Sequence, residues 1–199
     1  MPNTDPDKII SGFDSIYEIL ENESGIRYEG EINVPDSGLA IFGNIHFTGP
    51  IGMKNKIKVD ASRVERMIDR ITPQTVTVTY PDLSDFSING YSLNEVIAEK
   101  IRSMMQRSKV RDYYDVWKMF TTDKSLDSSK IGKMVVEKCK INDIDYNPAK
   151  IFDSTRLNGL EEYWEKDLGR LIADDLPSPK TVFKDIKGLL TFLPNSVKT

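Results

Sequence analysis

The sequence predicts an α+β protein, and three observations predict it. Residues from Ile26 to Tyr80 fall into short, β-branched, alternating segments, whereas residues after Gly90 carry apolar side chains at helical spacing. One amphipathic stretch precedes the strands, and no repeat or low-complexity tract interrupts the order. With 199 residues, of which 39% are hydrophobic and 29% charged, the chain can bury a real core and is too apolar for disorder.

Each element has its own signal. From Pro6 to Asn22 the positions Ile9, Ile10, Phe13, Ile16, Tyr17 and Leu20 define one stripe, expected to be buried. Strands are expected at Ile26–Val34, Leu39–Phe47, Lys54–Asp60 and Thr75–Tyr80, the first three separated by Pro35-Asp36-Ser37-Gly38 and Gly49-Pro50-Ile51-Gly52. The alternation Lys56-Ile57-Lys58-Val59-Asp60 turns one face inward and one to solvent, as in a small mixed or antiparallel sheet. After Tyr80 strands are expected to stop. Ser92-Leu93-Asn94-Glu95 has the form of a capping box opening a helix to about Arg107. Further helices are expected at Arg111–Phe120, at Ser128–Cys139 behind Asp127, at Leu157–Ala173 and at Thr181–Leu193. Ser178 and Pro179 mark the entry to the last of these. A sheet-containing part over 1–90 and a helical part over 91–199 follow, joined without a Gly/Ser-rich spacer and so expected to form one compact unit.

Charge and cysteine content narrow the classes. With 27 basic against 31 acidic side chains the net charge is −4, so the surface as a whole is no polyanion glue, although a local basic cleft remains open. The single cysteine, Cys139, forms no internal disulfide, and a reducing cytoplasmic setting is the expectation. No run approaches the ~20 apolar residues of a membrane span, and Met1–Asp7 lacks the pattern of a secretory signal.

The chemistry concentrates in Tyr91–Phe120. On a wheel of about 100° per residue, Val96, Ile97, Ile101, Met104 and Met105 share an apolar half. Glu95, Ala98, Glu99, Arg102, Ser103 and Gln106 fill the other half. Lys100 and Arg107 break the pattern by projecting from the apolar side, which is costly unless anions meet them. Asp112 and Asp115 are three apart on the next helix, beside Val116 and Met119, and the turn between the helices is short. A network of Lys100, Arg107, Arg111, Asp112 and Asp115 is expected. It either fixes the crossing of two helices or forms a cationic pocket for a phosphorylated ligand.

These residues resemble a known family. Glu95, Ala98 and Lys100, then Arg107, Arg111, Asp112 and Asp115, are similar in type and spacing to the signature of AbiEii-type nucleotidyltransferase toxins, a branch of the polymerase-β-like superfamily. Lys56-Ile57-Lys58-Val59-Asp60 resembles the family's strand motif, and Glu162-Tyr163-Trp164 with Phe183, Ile186, Leu189 and Leu190 its C-terminal region, so that the likeness spans about residues 5 to 193. The resemblance implies a nucleotidyltransferase-like fold with Mg²⁺ and a nucleoside triphosphate over the sheet. It implies catalytic roles for Asp60 and Lys100, with Asp60 also a metal ligand or base toward an acceptor hydroxyl. Lys58, Lys100, Arg107 and Arg111 would bind the nucleotide, and Glu99, Asp112 and Asp115 would support them. It further implies an RNA acceptor such as tRNA and a cognate antitoxin.

One part of the pattern is missing. Such enzymes carry Gly-Ser or Gly-Gly at a helix start and an Asp-x-Asp pair on the next strand, which holds two metals about 3.5–4 Å apart. Asp5-Pro6-Asp7 stands near that place, but proline does not suit a central strand and no glycine turn precedes it. Asp143-Ile144-Asp145 repeats the letters in what is expected to be a solvated loop. The chain is therefore expected to be either a truncated product or a non-catalytic relative that acts as a nucleotide- or protein-binding module. Elsewhere, His46 has no nucleophile elbow to serve, and Tyr113, Tyr114, Trp117 and Phe120 are expected in the core. Lys54, Lys56 and Lys58 line one strand face, either solvated or phosphate-binding, and Lys138 and Lys140 could lower the pKa of Cys139.

Overall fold

The computed structural model describes residues 6–33, 40–62, 66–81, 83–173 and 175–195. Helices α1 (Pro6–Ser24), α2 (Leu93–Gln106), α3 (Val110–Thr122), α4 (Ser128–Ile141), α5 (Ser154–Leu168) and α6 (Pro179–Leu189) accompany strands β1 (Tyr28–Asn33), β2 (Ala40–Thr48), β3 (Lys54–Ser62), β4 (Thr72–Val76) and β5 (Phe86–Gly90). This is an α+β chain with a helical C-terminal half. Its contacts divide it into two compact units, Met1–Glu65 and Arg66–Thr199.

The first unit joins α1 to an antiparallel sheet of order β1-β2-β3, with Tyr28 opposite Phe47 and Thr48 opposite Lys54. Its tight turn follows the glycines. The Gly49 N–H donates to the Met53 carbonyl at 2.9 Å, and Gly52 takes φ 76°. Gly30 is required for another reason, since a Cβ there would come within 2.3 Å of the Asn44 carbonyl oxygen. Alternation in β2 buries Ile41, Gly43 and Ile45 and exposes Phe42, Asn44 and His46. The stripe on α1 is not buried as expected. Ile10, Phe13 and Tyr17 are half-buried, Ile16 is 47% exposed and Leu20 36%, because a single helix beside a three-stranded sheet encloses little. The side chain of Ile9, the turn at Pro35–Gly38 and Asp5 lie outside the described residues.

The second unit begins with a hairpin only partly foreseen. β4 starts earlier than expected and ends at Val76, and β5 pairs with it from Thr72 opposite Gly90 to Val76 opposite Phe86. Strands do not stop at Tyr80. β5 is five residues long, with Phe86 and Ile88 both about half exposed, too short and too solvated to show a strong period. The loop is closed by the Val78 N–H donating to Asp85 Oδ1 at 2.9 Å.

Four of the helices are set by side-chain caps. Ser92, Asp127, Asp153 and Ser178 each accept a backbone N–H of the turn they open. Because Asp153 is a cap, α5 starts earlier than expected. It stops at Leu168, short of the expected Ala173, with Gly169 as a C-cap still in helical backbone whose N–H donates to the Glu165 carbonyl at 2.8 Å. The core gathers around α2 and α3, with Ile97, Ile101, Met104, Tyr113, Val116, Val135, Val182 and Ile186 all buried. Tyr113 meets Phe183 edge-on at 5.5 Å, Phe183 meets Trp164 at 5.6 Å and Trp164 meets Tyr114 at 6.5 Å. The aromatic positions of α3 are therefore core residues, Trp117 and Phe120 at its edge.

Burial also sets the alkaline limit of the fold. It pushes the Tyr113 hydroxyl, which donates to the Ile151 carbonyl, up to about 12, and the Cys139 thiol up to about 11. The expected lowering of the cysteine by its lysine neighbours is thus reversed: the thiol is buried, and the first effect of burial is to disfavour the thiolate. Both groups hold their protons longer when folded, so their contribution is complete below the unfolded values and declines as pH rises through the folded ones. Denaturant midpoints should therefore fall between about pH 9 and pH 12, with Cys139 unreactive to thiol reagents until unfolding. A flat midpoint across that window would contradict this account.

Candidate functional site

Two charge networks leave α2 on different sides. The first is the one the spacing predicts. Asp112 lies in the first turn of α3, where its charge suits the helix dipole, and its side chain is only 3% exposed. Its Oδ1 accepts from Lys100 Nζ at 3.5 Å and its Oδ2 from Arg107 Nε at 3.1 Å. Lys100 Nζ also meets Asp115 Oδ2 at 2.6 Å. The helix–turn–helix Leu93–Thr122 thus closes four of the five expected residues into one cluster.

The orientation differs from the expectation. The group at the centre is an acid, and the cations stand at the rim, Lys100 30% exposed and Arg107 56%. Arg107 is the C-cap of α2 in extended backbone, which carries its stem outward. A rim position leaves each cation partly hydrated, which avoids most of the desolvation cost of burying it. Arg111 is exposed on α3 and forms no ion pair among the described residues.

The second network was not foreseen. Lys138 on α4 is 1% exposed and meets Glu95 Oε1 at 2.7 Å and Glu99 Oε2 at 3.3 Å. Glu95 does not complete the capping box. Its carboxylate instead accepts the N–H groups of Ile68 at 3.3 Å and Asp69 at 2.9 Å. Glu99 stands here rather than beside Lys100, and its Oε1 takes Arg102 Nη2 at 2.6 Å. Asp69 in turn accepts Ser92 Oγ at 2.7 Å and Lys130 Nζ at 2.6 Å, and these contacts hold its carboxyl below the usual range. A signal was present in the sequence: Lys138 falls on the same stripe of α4 as Ile131, Met134 and Val135, where a cation needs a buried acid.

The remaining candidates lie in the first unit. Lys58 and Asp60 are exposed on β3, on the sheet face that also carries Lys56, opposite Asn44 and Phe42 of β2. His46 is exposed opposite Lys56 and lines a small concavity with Arg27, Glu29 and Lys54. Asp143 adopts φ 52° and Asp145 pairs with Lys150 at 3.0 Å in an exposed loop, as expected of a solvated connection.

The donor set does not suit Mg²⁺. A divalent cation of this kind wants several oxygen ligands, usually with more than one carboxylate or a phosphate. Asp60 faces Phe42 across the strands and has lysine at the next position on its face, while Asp112 and Asp115 already hold cations. No group of three His, Cys, Asp or Glu among the described residues could hold a metal. No helix there is long and apolar enough to cross a membrane.

Comparison with known families matches residues 7–189 to the family described as "Nucleotidyl transferase AbiEii toxin, Type IV TA system". Neither the curated proteins nor the solved structures give a match.

Proposed function

The chain belongs to the AbiEii nucleotidyl transferase toxin family of type IV toxin–antitoxin systems, and from that premise we propose that its Lys100–Arg107–Asp112–Asp115 cluster binds the triphosphate of a nucleoside triphosphate. The carrying observation is one buried carboxylate bridging two cations that keep unused donors. Lys100 has three N–H donors and spends two on Asp112 and Asp115. Arg107 is anchored through Nε, which leaves both Nη groups of a half-exposed fork for phosphate oxygens. Asp112 would fix the two cations at a set spacing before the ligand arrives. That is positioning rather than reaction chemistry.

On this reading the protein is a nucleotidyltransferase-like toxin that moves the nucleotidyl group of the triphosphate onto a hydroxyl of an RNA acceptor. The α–β phosphoanhydride breaks, pyrophosphate is released and the hydroxyl proton passes to solvent. The resemblance implies tRNA as the acceptor class, with a cognate antitoxin as partner. Arg111, exposed on α3 of the same unit, would add to nucleotide binding. No step is assigned to a metal. A second reading has its own observation: each cation already has a carboxylate, as in a cluster that only fixes the α2–α3 crossing.

Calorimetry with each nucleoside triphosphate separates the two. Lys100→Ala should weaken binding at least about tenfold, the loss of one charge-assisted hydrogen bond or more. Asp115 would then lose its 2.6 Å partner and the buried Asp112 its 3.5 Å one, so the thermal midpoint should fall modestly, since Asp115 is partly exposed and Arg107 still holds Asp112. Unchanged affinity would sink the first reading. If Lys100→Met with Asp112→Leu raised stability and no triphosphate bound the parent protein, the cluster would be a helix clamp.

A further inference from the structure

A cavity in the second unit lies on another side of the α2–α3 turn. It encloses about 480 Å³ between Ser108–Val110 and α5, within the usual size range of small-ligand sites. None of Lys100, Asp112 or Asp115 lines it. Its wall is two-natured. Val110, Leu160 and Tyr163 give an apolar side, and Lys109, Arg156 and Lys166 a cationic one, against the single carboxylate of Asp167.

The cations there are arranged rather than scattered. Arg156 Nη1 donates to the carbonyls of Met104 at 3.1 Å and Met105 at 3.3 Å, the open end of α2. That fixes the guanidinium while its Nε and Nη2 make no hydrogen bond among the described residues. Lys166 Nζ stands 5.6 Å from the centre of the Tyr163 ring, and that ring is 47% exposed. Lys109 gives α3 no side-chain cap, so the first N–H groups of that helix add positive potential at Val110. Gly159 lines the cavity with open space where a Cβ would be.

We propose that this cavity binds a phosphate monoester carried on a flat ring, of the size of a nucleoside monophosphate. The phosphate meets Arg156, Lys109 and the start of α3, and the ring lies on Tyr163 and Leu160. The assignment is independent of the triphosphate reading of Lys100 and uses different residues.

Calorimetry on the full chain with adenosine 5′-monophosphate, adenosine and inorganic phosphate tests it. The monophosphate should bind saturably, and each fragment at least about tenfold more weakly. Gly159→Phe adds a ring at a lining position where a Cβ meets open space, and Lys109→Glu reverses an exposed charge. Each should lower monophosphate affinity about tenfold or more, while Lys100→Ala leaves it unchanged. Three results would each overturn the proposal: no saturation up to about 10 mM, full affinity in both cavity variants, or loss of binding in Lys100→Ala.

Discussion

Replacing Lys138 by methionine should cost the second unit roughly 3–5 kcal/mol of stability, the usual penalty for leaving one member of a buried ion pair alone. Lys138 is 1% exposed and Glu95 2%, so water cannot take over when the ammonium is removed. Glu95 would keep only the N–H groups of Ile68 and Asp69, and Glu99 would lose its 3.3 Å contact. Those N–H donors belong to the segment entering the β4–β5 hairpin, so the loss should be felt at the base of the hairpin as well as between α2 and α4. Pairing Lys138→Met with Glu95→Gln should restore part of the stability, because the buried charge is gone and the single amide oxygen can still accept one of the two backbone N–H groups. Urea unfolding of the two single variants and the double variant, read as a cycle, measures the coupling. A Lys138→Met variant within about 1 kcal/mol of the parent would mean that the pair is energetically idle.

The contrast between the two networks shows what the sequence discloses. Lys100, Asp112 and Asp115 sit on adjacent helices joined by three residues, of which Arg107 is the first, so helical spacing and a short turn bring the four together. Which member lies inside was not legible. A wheel divides a helix into one buried and one solvated half, but α2 is packed by α3, by α4 and by the short 3-10 turn Pro148–Phe152. Glu95, Arg102 and Ser103, on the side assigned to water, are therefore buried with partners. Lys138 comes from a different helix, and no local rule links it to Glu95. The same limit applies to β5, which becomes a strand through its pairing with β4 and shows little periodicity of its own. Helix starts were legible where a cap is a single residue, as with Asp127 and Ser178.

Trp164→Ala should be nearly as damaging as the lysine variant, at roughly 3–5 kcal/mol, the usual cost of deleting a large buried aromatic side chain. Trp164 is 3% exposed, stands edge-on to Phe183 at 5.6 Å, and its Nε1 donates to the Pro177 carbonyl at 2.9 Å. Alanine would leave a void between α5 and α6 and an unpaired carbonyl. The consequence reaches the charge cluster through α3. Tyr113, Tyr114 and Val116 face the core while Asp112 and Asp115 carry the ion pairs, so the helix that α5 and α6 seat is also the one that positions both acids. If the cluster binds triphosphate, Trp164→Ala should lower that affinity under conditions where the protein is still folded, and Trp164→Phe, which keeps an aromatic ring there, should recover most of it. Tyr163→Ala serves as control, since Tyr163 is exposed one position earlier and belongs to the other cavity. Equal triphosphate affinity in folded Trp164→Ala and parent protein would show that the acids are placed by the α2–α3 turn alone, without help from the aromatic layer beneath them.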